Sequence, residues 1–448
     1  MKNNKLILTF MVIFTLLLLA ACGQDDSTTE KTTTPSEEVV WEENLLNPNE
    51  PTKVTFYSYS LGNASMKDGV EKLINNFNET IGAEKGIVVE GVVDADYTKS
   101  RTDIQSGLQV DIIQQTFPGL DGARNDLGVV AFEDAFPQEE LDAHFEGIPD
   151  TALQLGVIQD KMYGMAFTFS TPILYVNGDI FEQAGLDPTV APKSWEEMFK
   201  MAKQIKEKTG IYGLALSPSN STGWVSDSIL YSGGSEILNE DKTAVVFDNK
   251  NAISTLETWK QFYAENVAIG GTDTDAVQAF LSGNAAMHLQ STSLYSGFKS
   301  TAASAGWDLY GYAMPGFKGE ESIPTNSGSA IAVRPDSEQK AQAIWEFVKY
   351  ITGNEGYTTI TKDIGYLPLR PYLAEDENYL KSFVDENPII KLNIERLSNI
   401  KPATIWPGET ANEVQQLYLD MFDKALTTDR DVAEVVKETQ EEINLLLE

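Results

Sequence analysis

Few of the side chains that make or break covalent bonds are on offer in this sequence. It has one cysteine, Cys22, and two histidines, His144 and His288. One thiol cannot build a disulfide framework, and with two imidazoles it cannot compose a zinc cluster. No Gly-x-Ser-x-Gly elbow, His-Glu-x-x-His pair or Gly-x-x-x-x-Gly-Lys loop occurs. Asp and Glu number 67, so any carboxylate pair picked for glycoside hydrolysis is uninformative. What remains is a chemistry of hydroxyls, amides and rings in short polar loops. Tyr57-Ser58-Tyr59-Ser60-Leu61-Gly62-Asn63 mixes phenols with hydroxyls, and Gln290-Ser291-Thr292-Ser293 offers successive hydroxyls. Asn326-Ser327-Gly328-Ser329 is similar, with Gly328 permitting close backbone approach. Ser219-Asn220-Ser221-Thr222-Gly223-Trp224 carries one large ring, which either plates a ligand or packs beneath its own loop.

Composition narrows the partners. With 67 acidic against 33 basic residues, the formal net charge is −34. Neutralising phosphates needs the opposite surplus, so nucleic acid is excluded as a partner. At 42% hydrophobic and 10% aromatic the chain suits a packed globular protein, and 448 residues imply two domains. Lys2 and Lys5 precede an apolar run, Leu6 to Ala21, that reads as a secretory leader over residues 1–21. It ends Leu19-Ala20-Ala21-Cys22, which resembles a bacterial lipobox, where the thiol takes a diacylglyceryl group. Acyl chains anchor at about 0.8 kcal/mol per buried methylene. Residues 22–50, rich in Asp, Ser, Thr, Glu and Asn, read as a flexible linker. The expectation is a lipid-anchored monomer on the outer face of a Gram-positive cell membrane.

The elements that must position those loops alternate between strand and helix. Val54 and Phe56 mark a strand over 52–57. Val70, Leu73, Ile74 and Phe77 mark a helix face, and 87–93 and 110–113 mark two more strands. Residues 172–177 form an apolar strand. Ser194 with Glu197 reads as a capping box opening a helix through Met198, Met201, Ala202 and Ile205. Further helices carry Ile253, Leu256, Trp259 and Phe262, then Ile344, Phe347, Val348 and Ile351. Strand–helix–strand order at this spacing predicts an α/β fold.

Five blocks, in order, resemble one family. They are Ala166-Phe167-Thr168-Phe169-Ser170-Thr171-Pro172-Ile173-Leu174-Tyr175-Val176-Asn177, then Gly185-Leu186-Asp187-Pro188 with Pro192-Lys193-Ser194-Trp195. Leu281-Ser282-Gly283-Asn284-Ala285-Ala286-Met287, Ala313-Met314-Pro315-Gly316-Phe317-Lys318-Gly319 and Gly365-Tyr366-Leu367-Pro368 follow. Together they are similar to the extracellular solute-binding proteins of ATP-driven (ABC) importers, in the sugar-binding family, with glycerol-3-phosphate binders nearer than maltose-type ones. The resemblance implies a two-lobe, type II periplasmic-binding-protein-like fold with a hinge and an interlobe ligand cleft. The first lobe is expected from 51–169 and 312–352, the second from 170–311 and 353–448. Crossings are expected near 169–171, 311–313 and 352–356.

The same resemblance implies site residues. Sugars present hydroxyls and C–H faces, which call for aromatic plates and groups that donate and accept. Family position selects Tyr59, Ser170 with Thr171, and Tyr366. Gln115 and Phe117 follow a strand where relatives carry ligand contacts, although a buried strand end explains them as well. Trp224, Ser291, Ser293 and Gly328 join them from the polar loops. Trp406 stands where glycerol-3-phosphate binders have a phosphate-gripping arginine, and a carboxylate expected near Phe117 is replaced. A phosphate dianion without its arginine is costly in a dry cleft. The expected ligand is therefore a small carbohydrate or polyol, delivered to membrane permease subunits, with no cofactor, no metal and no catalysis. Glycerol-3-phosphate or a glycerophosphodiester is the alternative, and a surface sensor, adhesin or glycoside-processing enzyme ranks below it.

Overall fold

The computed structural model describes residues 38–63, 66–95, 97–219, 223–408 and 410–447. The expected leader, Cys22 and the linker as far as residue 37 lie outside the described residues. From Trp41 onward the expected linker is packed on the body. The Trp41 ring meets Phe136 edge-on at 6.3 Å. Leu45 N donates to Gln342 Oε1 at 2.8 Å, and Gln342 Nε2 donates to Glu43 O at 2.8 Å. Trp41 and the Gln342 amide give this polar stretch something to hold.

The chain then builds β1 (Thr52–Ser58), α1 (Lys67–Phe77), β2 (Ile87–Val93), α2 (Thr98–Gln105) and β3 (Ile112–Thr116). Val70, Leu73, Ile74 and Phe77 are the buried face of α1, as their spacing predicts. Strand β3 starts two residues later than expected. The Asp111 carboxylate accepts from Thr55 N at 2.8 Å, taking a donor that strand pairing would otherwise use. β4 (Met165–Ser170) and β5 (Pro172–Asn177) follow with only Thr171 between them. Proline has no N–H to continue a ladder, so the chain changes sheet there.

Beyond β5 come α3 (Trp195–Thr209), β6 (Tyr212–Ala215), α4 (Trp224–Ser232), α5 (Lys250–Ala264), β7 (Ala268–Ile269), β8 (Ala285–Ser291) and β9 (Leu309–Ala313). Ser194 caps α3 by accepting from Glu197 N at 3.3 Å, while Glu197 reaches back to Lys193 N at 2.8 Å. The chain ends with β10 (Ser327–Val333), α6 (Glu338–Ile351), α7 (Pro388–Ile394), α8 (Ala411–Thr427) and α9 (Val432–Leu447).

Two five-stranded sheets result, in the orders β2-β1-β3-β10-β4 and β9-β5-β8-β6-β7. Strands β1, β2 and β3 are parallel, and β10 runs antiparallel to both β3 and β4. The first sheet packs Phe56 edge-on to Phe167 at 6.0 Å and to Phe347 of α6 at 5.6 Å. The second gathers Trp195, Trp259 and Phe262, with Phe422 of α8 5.8 Å from Trp259.

The return to the first sheet comes between Thr325 and Ser327, later than the expected 311–313. Residues 314–326 still belong to the second core, where Phe317 stacks on Trp195 at 5.4 Å with a 6° interplanar angle. Residues 354–400 touch both sheets. Tyr357 OH and Leu367 N donate to Ala166 O and Phe169 O of β4, each at 2.7 Å. Ile389 of α7 closes over Gly311 of β9, where a Cβ would come within 1.6 Å of it.

Candidate functional site

Strand direction decides where polar loops collect. β1, β2 and β3 all end at one edge of the first sheet. β10 begins there, and β4 ends there, because Ser327 pairs with Ser170. In the second sheet β5 begins where β8 ends, with Pro172 opposite Ser291. Thr171 joins those two edges, so the strand ends of both sheets face one junction, the place where open α/β sheets hold ligands.

Three of the selected residues, Ser170, Ser291 and Ser293, meet in a hydroxyl chain at this junction, and the Thr171 carbonyl lies beside it. Ser291 Oγ donates to Ser170 Oγ at 2.9 Å and lies 2.8 Å from Ser293 Oγ. Thr292 N donates to Thr171 O at 3.0 Å. Tyr175 OH fixes the end of β8 by donating to Ser291 O at 2.7 Å. Tyr366 is buried against Ser293 and Tyr59, and burial drives its phenol far above the usual tyrosine range. Tyr59 is half-buried, and its ring meets Tyr97 edge-on at 6.4 Å.

Tyr97 is a residue the sequence reading missed. It sits at φ 62°, a left-handed conformation that is costly for a bulky side chain. Its hydroxyl accepts from Thr116 N at 3.2 Å, which ties the loop after β2 to the end of β3. Burial pushes that phenol up to about 12. The one available signal was an aromatic in the polar loop directly after a strand.

Gln115 and Phe117 are each 3% exposed, Phe117 within the first core. Their neighbour Gln114 faces the hydroxyls instead, donating to Ser60 Oγ and Ser329 Oγ at 2.8 Å each. Gly328 sits at φ 120° on β10, and a Cβ there would lie 2.0 Å from Thr168 O. The close approach that glycine permits is made to β4.

The two indoles belong to the second core. Trp224 is 8% exposed at the start of α4, and its carbonyl accepts from Thr325 Oγ1 at 2.7 Å and Ser228 Oγ at 2.9 Å. Residues 220–222 of its loop lie outside the described residues. Trp406 is half-buried and meets Tyr418 edge-on at 5.0 Å. Thr325 bonds the Trp224 carbonyl, and Ser327 pairs with Ser170, so residues 325–327 run from the indoles to the hydroxyl chain. Within this wall Asp227 Oδ1 accepts from Tyr418 OH at 2.7 Å and Oδ2 from Thr404 N at 2.8 Å.

None of the side chains brought together here is Lys or Arg. Among the described residues no trio of His, Cys, Asp or Glu is placed to hold a metal, and no helix is long and apolar enough to cross a membrane. The arrangement can exchange hydrogen bonds with a polyhydroxylated solute and cover its apolar faces.

Residues 72–389 match the family described as bacterial extracellular solute-binding protein. A lactose-binding protein of Rhizobium radiobacter is 26% identical over 258 residues, covering 55% of this chain and 60% of that protein. An sn-glycerol-3-phosphate-binding periplasmic protein of Agrobacterium fabrum is 26% identical over 243 residues, covering 51% and 53%. The matches thus span between half and three-fifths of these curated relatives. In three dimensions the chain is similar to a cyclic alpha-maltosyl-1,6-maltose binding protein from Arthrobacter globiformis. The TM-score is 0.77 at 18% identity, covering 89% of this chain and 99% of that one, which is a likeness of fold.

Proposed function

The chain belongs to the bacterial extracellular solute-binding protein family, and from that premise we propose that it captures a mono- or oligosaccharide or a polyol and hands it to the permease subunits of an ABC importer. One observation carries the choice of ligand: the hydroxyl and phenol groups converge at the junction of the sheets with no arginine or lysine among them. Tyr59, Ser170, Thr171, Ser291, Ser293 and Tyr366 supply the hydrogen bonds, and Trp224 and Trp406 the plates. Gln115, Phe117 and Gly328 shape the wall from behind.

The two lobes are built one on each sheet, with Thr171 and residues 325–327 as hinge strands and 354–400 as a strap between them. Solute draws the lobes together because only the closed form lets both walls touch it. Cys22 carries the lipid that keeps this monomer on the outer face of a Gram-positive membrane, and binding and delivery proceed without catalysis.

Glycerol-3-phosphate or a glycerophosphodiester is the second reading, favoured by the name of the Agrobacterium relative. Thermal unfolding of the purified protein across sugars, polyols, glycerol-3-phosphate and glycerophosphodiesters tests both. Ligand at a hundred times its Kd stabilises by about 2.7 kcal/mol. A higher Tm with neutral sugars or polyols supports the proposal. A shift confined to the phosphate compounds overturns it, and no shift at all moves weight to a surface sensor or adhesin.

A further inference from the structure

Asp227 lies three residues after Trp224 on α4 and is 2% exposed. A buried carboxylate is expensive unless paired, yet among the described residues no Lys or Arg forms an ion pair with it. Its partners are Tyr418 OH and Thr404 N. Burial raises it to about 6, and those two bonds hold it from rising further. The titratable groups facing it are Tyr418 from α8 and Tyr231 from its own helix. Behind Tyr231, Lys401 Nζ lies 4.2 Å from the ring and is paired with Glu236.

The cost of this carboxylate has a visible return in the segment it grips. Ala403 N donates to Asn326 Oδ1 at 2.9 Å and the next amide, Thr404 N, to Asp227. Lys401 N donates to Pro324 O at 3.0 Å. Two consecutive amides are therefore fixed by buried side chains from different elements, two residues before Trp406. The indole itself rests on Tyr418, whose hydroxyl returns to the same carboxylate. Backbone and ring routes from one group converge on Trp406.

We propose that Asp227 is the positioning residue for Trp406, its ionised carboxylate fixing the Thr404 amide and the Tyr418 ring so that the indole stands in the solute-facing wall. The solute-facing part rests on the reading of Trp406 given above. The sign of the stability effect separates this from a packing role. An Asp whose folded pKa is raised costs stability as pH climbs from its unfolded value to its folded one. Asp227→Asn therefore leaves Tm unchanged or raises it while loosening the wall. A group kept for packing does the reverse.

The test is fluorine NMR of the purified protein carrying 5-fluorotryptophan, with the Trp406 resonance assigned by its loss in Trp406→Phe. In the wild type that resonance should move with a midpoint near 6, following Asp227. Asp227→Asn should remove the pH response, and Tyr418→Phe, which deletes one of the two restraining bonds, should move the midpoint up. Trp345, in the first core, should stay still in both. Affinity for whichever of maltose, lactose, glycerol, glycerol-3-phosphate or glycerophosphocholine moves the resonance should fall by about tenfold in Asp227→Asn. A Trp406 resonance identical in wild type and Asp227→Asn across this pH range overturns the proposal. If it follows Asp227 but no solute moves it, positioning stands and the solute-facing reading of Trp406 falls. Tyr418→Phe keeps the test decisive if Asp227→Asn does not fold.

Discussion

Ser291 Oγ donates to Ser170 Oγ at 2.9 Å, joining the end of β8 in the second sheet to the end of β4 in the first. The same oxygen lies 2.8 Å from Ser293 Oγ and accepts from Ser293 N at 3.1 Å. It touches both halves of the site. Its three partners make Ser291→Ala a cut through the junction rather than the loss of one surface hydroxyl. With Ser170 only 1% exposed and left unpaired, a loss of about 1–3 kcal/mol is expected. Urea unfolding measures it. A midpoint unchanged from wild type would mean that this hydroxyl chain contributes nothing to holding the sheets together.

Gly328→Ala should cost more. Its φ of 120° is one that alanine resists, and the added methyl would meet Thr168 O at 2.0 Å. The pairing of β10 with β4 has to give way, and the registers of Gly328 with Phe169 and Ser327 with Ser170 go with it. A loss of about 3 kcal/mol or more in urea unfolding is expected. Retention of wild-type stability would show that β4 can shift freely at the hinge.

Much of this was readable in advance, and the failures have physical reasons. Strands β1 and β2 and the buried faces of α1, α5 and α6 follow from periodicity, and β5, buried at every position, follows from its unbroken apolar run. The return crossing was not readable, since nothing local says that Phe317 will stack on Trp195 more than a hundred residues away. Trp41 went unread inside a stretch taken as linker, because its partner Phe136 lies far along the chain. In the site, a serine marks a hydroxyl but not its direction. Tyr97 went unseen because its place depends on a left-handed backbone and on Thr116.

The docked stretch at the start of the body makes a separate prediction. Gln342→Ala removes both side-chain bonds to Glu43 and Leu45. With the Trp41 contact left alone, residues 41–46 should become cleavable by protease several times faster, while the unfolding midpoint of the body changes little. Equal cleavage rates for the two proteins would show that Trp41 alone holds the stretch down.

Stability should fall on acidification below neutral pH. His144 is buried beside the Arg370 guanidinium and is held down to about 3, burial being the larger cause. Burial holds His288 down to about 4. Unfolding lets both take up a proton near the ordinary histidine value, so between the folded and unfolded values the unfolded chain binds more protons. Stability from these two groups is full above about pH 6.5 and is lost as pH falls toward the folded values. Asp227, raised to about 6, pulls the other way over part of the range, but as one group against two. Urea midpoints at a series of pH values should therefore drop toward acid, with a shallower slope in His144→Gln. A His144→Gln slope equal to that of wild type would mean His144 does not stay neutral in the fold.

Trp406 carries the sharpest test of what is bound. It is half-buried and edge-on to Tyr418, and we propose that it stands in the solute-facing wall in place of a phosphate-binding arginine. If the solute is a neutral carbohydrate, Trp406→Ala removes an apolar plate, and affinity should drop by about ten- to a hundredfold with the fold intact. Trp406→Arg should abolish sugar binding and create measurable affinity for glycerol-3-phosphate, because a guanidinium then pairs the dianion in the same wall. Calorimetric titration of the two variants with maltose, lactose and glycerol-3-phosphate reads both effects. Wild-type protein that binds glycerol-3-phosphate and loses it in Trp406→Ala would reverse the assignment, since an indole cannot neutralise a phosphate and another cation would have to enter the cleft on closure.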